Sequence, residues 1–188
     1  MHYVFHPLLE DQAERYGIAI LSKYPFVVVK AAHLTPAVPE RFRQARGAIW
    51  VKFQPPGCRE LHFVNTHFGL GTYERQRQVQ ELLGPQWLGA LPSEVPVIVC
   101  GDLNSGPSSK VLRLLRSRLH DAQHGLRDYK PLSTFTSVKP FRRIDHVLIS
   151  NHFKVESVSV PRTATAAMAS DHLPVCAELS FKPVHENH

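Results

Sequence analysis

Residues 95–100 are almost wholly apolar and run directly into Gly101-Asp102-Leu103-Asn104. Such a run suits a central strand covered on both faces. It places the polar residues at a strand end, where a rigid sheet can present side chains to a shared cleft. The chain has three more clusters of this kind: Asn65-Thr66-His67, Asp145-His146 and Asp171-His172, each at the end of an apolar strand-like run. Each is ambiguous alone. A Gly-Asp turn after a strand is common, so Asp102 alone reads equally as a turn residue. His67 alone reads as a hydrogen-bonded structural histidine. Asp145 lies inside a β-like run, where an unpaired carboxylate is costly, so it needs a partner.

The punctuation around these runs organises the rest. Residues 17–21 read as a short buried strand closed by the turn Ser22-Lys23-Tyr24-Pro25. Residues 26–32, 47–53 and 61–66 read as further strands, and Gly69 and Gly71 break the chain after His67. Thr72 is placed to cap a helix running to about residue 91, with Val79, Leu82, Leu83 and Trp87 on one face. Pro85 interrupts that pattern and predicts a kink or break. Ser108 or Ser109 can cap a second, short helix through Leu115. Residues 117–140 read as loop, 144–149 and 153–160 as a strand pair, 161–169 as a small-residue loop and 173–181 as a last strand. No repeat, linker or second domain is evident, so residues 1–188 are expected to form one domain. Strands outnumber helices and the helices interrupt the strand series, which predicts a mixed α/β domain with more than one sheet.

Charge and cysteine content narrow the chemistry. The 22 Lys and Arg against 16 Asp and Glu leave a formal net charge of +6, a balance that suits an anionic substrate. Arg113, Arg116 and Arg118 are the densest basic group and are expected on a solvated face. Cys58, Cys100 and Cys176 are odd in number and form no CxxC pair, which points away from a disulfide framework and a structural zinc site. Cys100 and Cys176 lie in apolar runs, so buried reduced thiols and a cytoplasmic location are expected. No apolar run has bilayer-spanning length, and the first 14 residues lack the pattern of a secretory signal. No stable membrane insertion is expected, and no partner protein is implied. Neither an aromatic-rich basic groove nor a basic amphipathic helix is evident in the sequence.

Five ordered segments carry a resemblance. They are Tyr16-Gly17-Ile18-Ala19-Ile20-Leu21-Ser22-Lys23-Tyr24-Pro25, Val64-Asn65-Thr66-His67, Val99-Cys100-Gly101-Asp102-Leu103-Asn104, Arg143-Ile144-Asp145-His146-Val147 and Ser170-Asp171-His172-Leu173-Pro174. Together they resemble the endonuclease/exonuclease/phosphatase superfamily, which includes deoxyribonuclease I, apurinic endonucleases, neutral sphingomyelinases and inositol polyphosphate 5-phosphatases. The resemblance is closest to its bacterial-type metal-dependent hydrolases and extends to the catalytic domain of proteins linked to GPI-anchor remodelling. It implies a mixed two-sheet α/β sandwich of the deoxyribonuclease I type. The implied activity is hydrolysis of phosphate esters with Mg²⁺ or Mn²⁺, as a phosphodiesterase, phosphatase or nuclease. Nucleic acid, phospholipid headgroups, inositol phosphates and small phosphodiesters all remain open as substrates.

The resemblance also assigns roles. Asp102 orients or deprotonates the attacking water. Asn104 holds a phosphate oxygen or the metal shell, His67 donates to the scissile phosphate, and His172 pairs with Asp145. Asp171, with Asp102 and Asn104, is the implied metal-ligand set, and hard oxygen donors suit Mg²⁺ or Mn²⁺. His146 follows Asp145 on a strand, so it should point the other way and is read as structural. Two departures qualify the match. Ile18 stands where the family usually has Asn. The family's earlier Asn strand and Gln-Glu strand, whose Glu is a principal metal ligand, have no counterpart before Gly17. The upstream glutamates, Glu10 and Glu14, do not sit at the end of an apolar strand. The chain is therefore expected to lack the family's N-terminal strands, with an impaired member acting as a binding module as the alternative reading.

Overall fold

The structure is a computed structural model that describes residues 1–10, 15–34 and 45–183. Its first two strands, β1 (His2–Glu10) and β2 (Arg15–Ser22), form an antiparallel ribbon. Next come β3 (Val27–His33), β4 (Gly47–Phe53), β5 (Leu61–His67), α1 (Thr72–Leu82), β6 (Val97–Asp102), α2 (Lys110–Leu115), β7 (His120–Asp121) and β8 (Asp145–Ile149). The chain closes with β9 (Phe153–Ser159), α3 (Ala164–Ala169) and β10 (Cys176–Phe181). The central sheet has six strands in the order β3-β4-β5-β6-β8-β7, and only the β5–β6 pair in it is parallel.

Alternation along the strands divides the core. On β4, Ala48 and Trp50 face one side of the sheet, where α1, α2 and Trp87 cover them together with Val64, Val99 and Leu148. Ile49 and Val51 face the other side and pack against Leu8, Ile18 and Ile20 of the β1–β2 ribbon. The β9–β10 hairpin covers the same side further along, through Phe153, Val155 and Val158 against Leu61 and Ile149. Among the described residues the second layer is thus two separate two-stranded units on one face of the large sheet. This is the mixed α/β, multi-sheet architecture expected from the sequence.

Several local expectations are corrected. Residues 17–21 are half-buried, not buried throughout: Ile18 and Ile20 point inward while Leu21 is exposed. β1 was not expected at all. Helix α1 stops at Leu82, short of residue 91, so the break expected at Pro85 is present, and a 3-10 turn follows at Leu88–Ala90. Its N-cap is Gly71, and Thr72 is its first residue. Of the two candidate serines, Ser109 caps α2 by accepting the Leu112 N–H at 3.2 Å. The expected loop at 161–169 contains α3, and Cys176 is exposed. In the arginine group Arg113 and Arg118 are exposed, as expected, and Arg116 is half-buried, but their side chains are bonded to the fold. Arg118 donates to the carbonyls of Leu88 and Leu91, at 2.7 and 3.1 Å, and satisfies the 3-10 turn. Arg116 donates to the Pro107 carbonyl at 3.0 Å and to Asp121 at 3.2 Å.

The register of the central sheet positions everything that follows. His67 on β5 lies opposite Asp102 on β6, and Asp102 lies opposite Asp145 on β8. Three chemically able side chains therefore end three adjacent strands in one row. Gly101 makes the close approach possible. Its φ is +134°, and a Cβ there would sit 1.8 Å from the Thr66 carbonyl oxygen on β5. Gly101→Ala is expected to lower stability by about 3 kcal/mol. Urea unfolding at neutral pH measures this, and a loss no larger than that of a Gly106→Ala control, where an added Cβ meets nothing within 4 Å, contradicts it.

Candidate active site

The row opens into a pocket of 460 Å³ lined by Tyr16, Arg46, His67, Leu70, Asp102, Asn104, Phe135, Arg142, Ile144, Asp145, Asp171 and His172. All six residues nominated from the sequence, His67, Asp102, Asn104, Asp145, Asp171 and His172, are in this wall. A larger cleft of 560 Å³ lies around Arg116, His124 and Lys154 and contains none of them.

The strands end here because the apolar pattern stops, and the loops then fold back on the row. After β6, the Asn104 N–H donates to Asp102 Oδ1 at 2.8 Å, a tight turn that puts Asn104 at φ +46°. Asparagine tolerates that left-handed conformation better than most residues. The Asn104 amide nitrogen donates to the Phe68 carbonyl at 2.8 Å and lies 3.4 Å from His67 Nε2. The amide oxygen is left for the pocket. His67 Nε2 is also 3.3 Å from Asp102 Oδ2, and a carboxylate can only accept, so Nε2 carries a proton. Tyr16 reaches across from β2 and bonds His67 Nδ1 through its hydroxyl at 3.0 Å.

A second unit stands beside the first. Asp145 Oδ2 accepts from His172 Nδ1 at 2.8 Å and from the Thr134 hydroxyl at 2.5 Å. The Phe135 ring packs on the His172 ring with centroids 4.9 Å apart. The Asp171 carbonyl accepts the Ser137 N–H at 2.8 Å, which ties the loop carrying Asp171 and His172 to the loop carrying Phe135. Ligand atoms of Asp102, Asp145 and His172 all lie within 4.8 Å of one another, a grouping able to hold a cation. Asp171 lines the same pocket outside that group of acidic and histidine ligands, and Asn104 lines it too.

The electrostatics follow from these contacts. Burial alone disfavours charge on both Asp102 and His172. For Asp102, hydrogen bonds from His67 and the Asn104 amide and the nearby histidine charges outweigh burial, so its pKa is lowered. For His172, the hydrogen bond and charge of Asp145, with Asp102 and Asp171, outweigh burial, so its pKa is raised. These contacts thus favour the charged form of each group.

Two other polar residues of the motifs have structural roles. The Asn65 amide donates to the Ala19 carbonyl at 2.9 Å and fastens β2 to the sheet. His146 points away from the pocket, as its parity required, with Nδ1 3.2 Å from Asp121 and Nε2 2.9 Å from the Ser105 carbonyl. Glu10 is paired with Arg15 at 3.0 Å and does not line the pocket, while Glu14 lies outside the described residues. Tyr16, Arg46, Thr134, Phe135 and Arg142 were not anticipated. Tyr16 was within reach of the sequence, because it shares parity with the inward-facing Ile18 and Ile20. Thr134 and Phe135 sit in a loop with no periodic signal.

A fold with a six-stranded sheet, a covering second layer and this row of carboxylates and histidines defines a class of protein. The Endonuclease/Exonuclease/phosphatase family model matches residues 1–172, and the chain belongs to that family. It is 27% identical over 169 residues to the uncharacterized protein YbhP of Escherichia coli K12, covering 87% of this chain. The chain spans 62% of the length of that relative. Among solved structures, a functionally unknown conserved protein from Enterococcus faecalis V583 aligns with a TM-score of 0.78 and 17% identity, over 96% of this chain and 77% of that one. The mannosyl-6-phosphatase Bt3783 of Bacteroides thetaiotaomicron aligns at 0.71 and 22%, over 95% and 77%. The human Nocturnin catalytic domain with bound sulfate aligns at 0.73 and 21%, over 96% and 72%. Among the described residues, no helix is long and apolar enough to cross a membrane.

Proposed function

We propose that this site hydrolyses phosphate esters with the help of Mg²⁺ or Mn²⁺. The observation that carries the reading is the single row of His67, Asp102 and Asp145 across adjacent strand ends, with His172 bonded to Asp145. Family membership supports it, as do similar folds that include a mannosyl-6-phosphatase and a TDP2 complexed with single-strand DNA product.

The division of labour follows from the charge states. Asp102 orients a water and accepts its proton as the water oxygen bonds to phosphorus and the ester P–O bond breaks, the departing oxygen taking a proton to leave as an alcohol. His172, kept protonated by Asp145, faces the charge that develops on the phosphoryl oxygens. His67 donates from Nε2, its ring fixed by Tyr16 on the other nitrogen. Arg142, exposed at the wall, adds a cation that suits an anionic ester. Asp102, Asp171 and Asn104, which line the same pocket, would supply the hard oxygen donors that suit Mg²⁺ or Mn²⁺ and not a thiolate-preferring ion, and Asp102 also stands in the close group with Asp145 and His172. When bound there, such an ion neutralises charge on the ester oxygens.

Hydrolysis of bis-p-nitrophenyl phosphate by the protein is expected to fall by on the order of a hundredfold in EDTA and to return with added Mg²⁺. Turnover that survives EDTA undiminished rules out the metal-assisted reading.

A further inference from the structure

Five large exposed apolar side chains lie on segments that line the pocket or are bonded to its wall. Leu70 is 64% exposed, Tyr73 68%, Val138 86%, Phe141 69% and Met168 88%. They are not scattered. Leu70 lines one wall and Tyr73 follows it on the first turn of α1. Phe135, also in the lining, packs on His172, and the Phe141 ring packs on Phe135 with 6.2 Å between centroids. Val138 is at the tip of the same loop, which is pinned beside the pocket by Ser137 N–H to the Asp171 carbonyl and Ser137 hydroxyl to the Ala167 carbonyl. Met168 is the next residue on α3, a helix with no charged and no buried residue. Soluble surfaces seldom gather exposed apolar groups in this way without a partner.

Charge selects the partner. The loop reads Val138-Lys139-Pro140-Phe141-Arg142, with Lys139 and Arg142 exposed between the apolar residues. Apolar side chains interleaved with cations match an anionic lipid surface, where the former enter the acyl boundary and the latter meet headgroups. A nucleic-acid strand needs aromatic platforms. Here the two most exposed members, Val138 and Met168, are aliphatic.

We propose that this rim docks the protein on an anionic lipid surface, with the pocket facing the headgroup layer, so that the ester hydrolysed is a lipid phosphoester. The docking stands on the rim alone; the chemistry rests on the phosphoesterase reading above. The sequence concealed this surface because its parts are remote in the chain and none is an amphipathic helix.

The test is flotation of the protein with vesicles of phosphatidylcholine, with or without about a third phosphatidylserine. Binding is expected to vesicles containing phosphatidylserine, to weaken in roughly 0.5 M salt, and to fall about tenfold or more in the double variant Val138→Asp/Met168→Asp. Both positions are exposed, so the thermal midpoint should hold, and Val138→Ile/Met168→Leu should float like the wild type. Absence of flotation on anionic vesicles, or equal flotation of the Asp variant, overturns the proposal. Binding of a fluorescent single-stranded oligonucleotide that is lost in Tyr73→Ser, with no flotation, overturns it in favour of nucleic acid. Flotation is read without turnover, so loss of the phosphoesterase reading leaves this result independent.

Discussion

Asp145→Asn is expected to leave the fold intact and cut turnover by on the order of a hundredfold or more. Asp145 Oδ2 accepts from both Thr134 and His172, so one atom fixes the His172 ring and supplies the charge that keeps it protonated. An amide of the same shape removes that charge. Burial then acts on His172 without its main opposition, and its pKa falls from its raised position. The limb of the pH–rate profile that reports protonated His172 should therefore move to lower pH in the variant. His172→Ala on the Asp145→Asn background should add little further loss, because residues acting as one unit are not additive. Kinetics of the two single variants and the double variant decide the matter: fully additive losses, or an unmoved pH limb, show that the two residues act apart.

Asp121→Asn is expected to destabilise the protein by about 3–5 kcal/mol, a large share of the roughly 5–15 kcal/mol typical of a domain. The Asp121 side chain is 1% exposed and holds three cationic or ionisable groups. Arg143 bonds it through two nitrogens at 3.0 and 2.9 Å, Arg116 approaches to 3.2 Å, and His146 to 3.2 Å. Removing the carboxylate charge leaves Arg143, itself nearly fully buried, without its counter-charge. His146 also carries the Ser105 carbonyl, so the turn behind Asp102 and Asn104 loses its support. Burial resists ionisation of Asp121, but bonds from His146 and Arg143 outweigh it and hold its pKa well below the ordinary 3.8. The stability it contributes is therefore present above pH 3.8 and is lost as pH falls below that value toward its folded pKa. Urea midpoints of wild type and variant across pH 3–7 check both parts. Midpoints that coincide at neutral pH refute the first part, and a difference that does not narrow in acid refutes the second.

The candidate site was legible because its residues stand where apolar runs stop. His67, Asp102 and Asp145 each mark a strand end, and the runs around them gave the strands themselves. What the sequence withheld was register. Nothing in the runs says that β5 and β6 pair in parallel with His67 beside Asp102. β1 was missed because Pro7 lies inside it. The structure places Pro7 opposite Gly17, next to a register shift before Leu9, in a two-stranded ribbon where a missing N–H is tolerated. β7 spans only His120 and Asp121, too short for any periodicity, so the most heavily bonded buried carboxylate had no signal. Cys176 was expected inside because its neighbours are apolar. It begins an alternating strand and falls on the outward parity.

The parallel pairing of β5 with β6 has a consequence for how the molecule comes into being. The two strands are separated by α1 and its flanking loops, so their ends meet only after a long stretch of chain has been closed. β8 must then arrive from beyond α2 before Asp145 can join the row, and Tyr16 and His172 come from near the two ends of the described chain. Helix α1 is built from local contacts and can form early, whereas the site depends on contacts of high sequence separation. The constellation exists only where β5, β6 and β8 are all in register, and β8 also supplies Leu148 to the core beneath the helices.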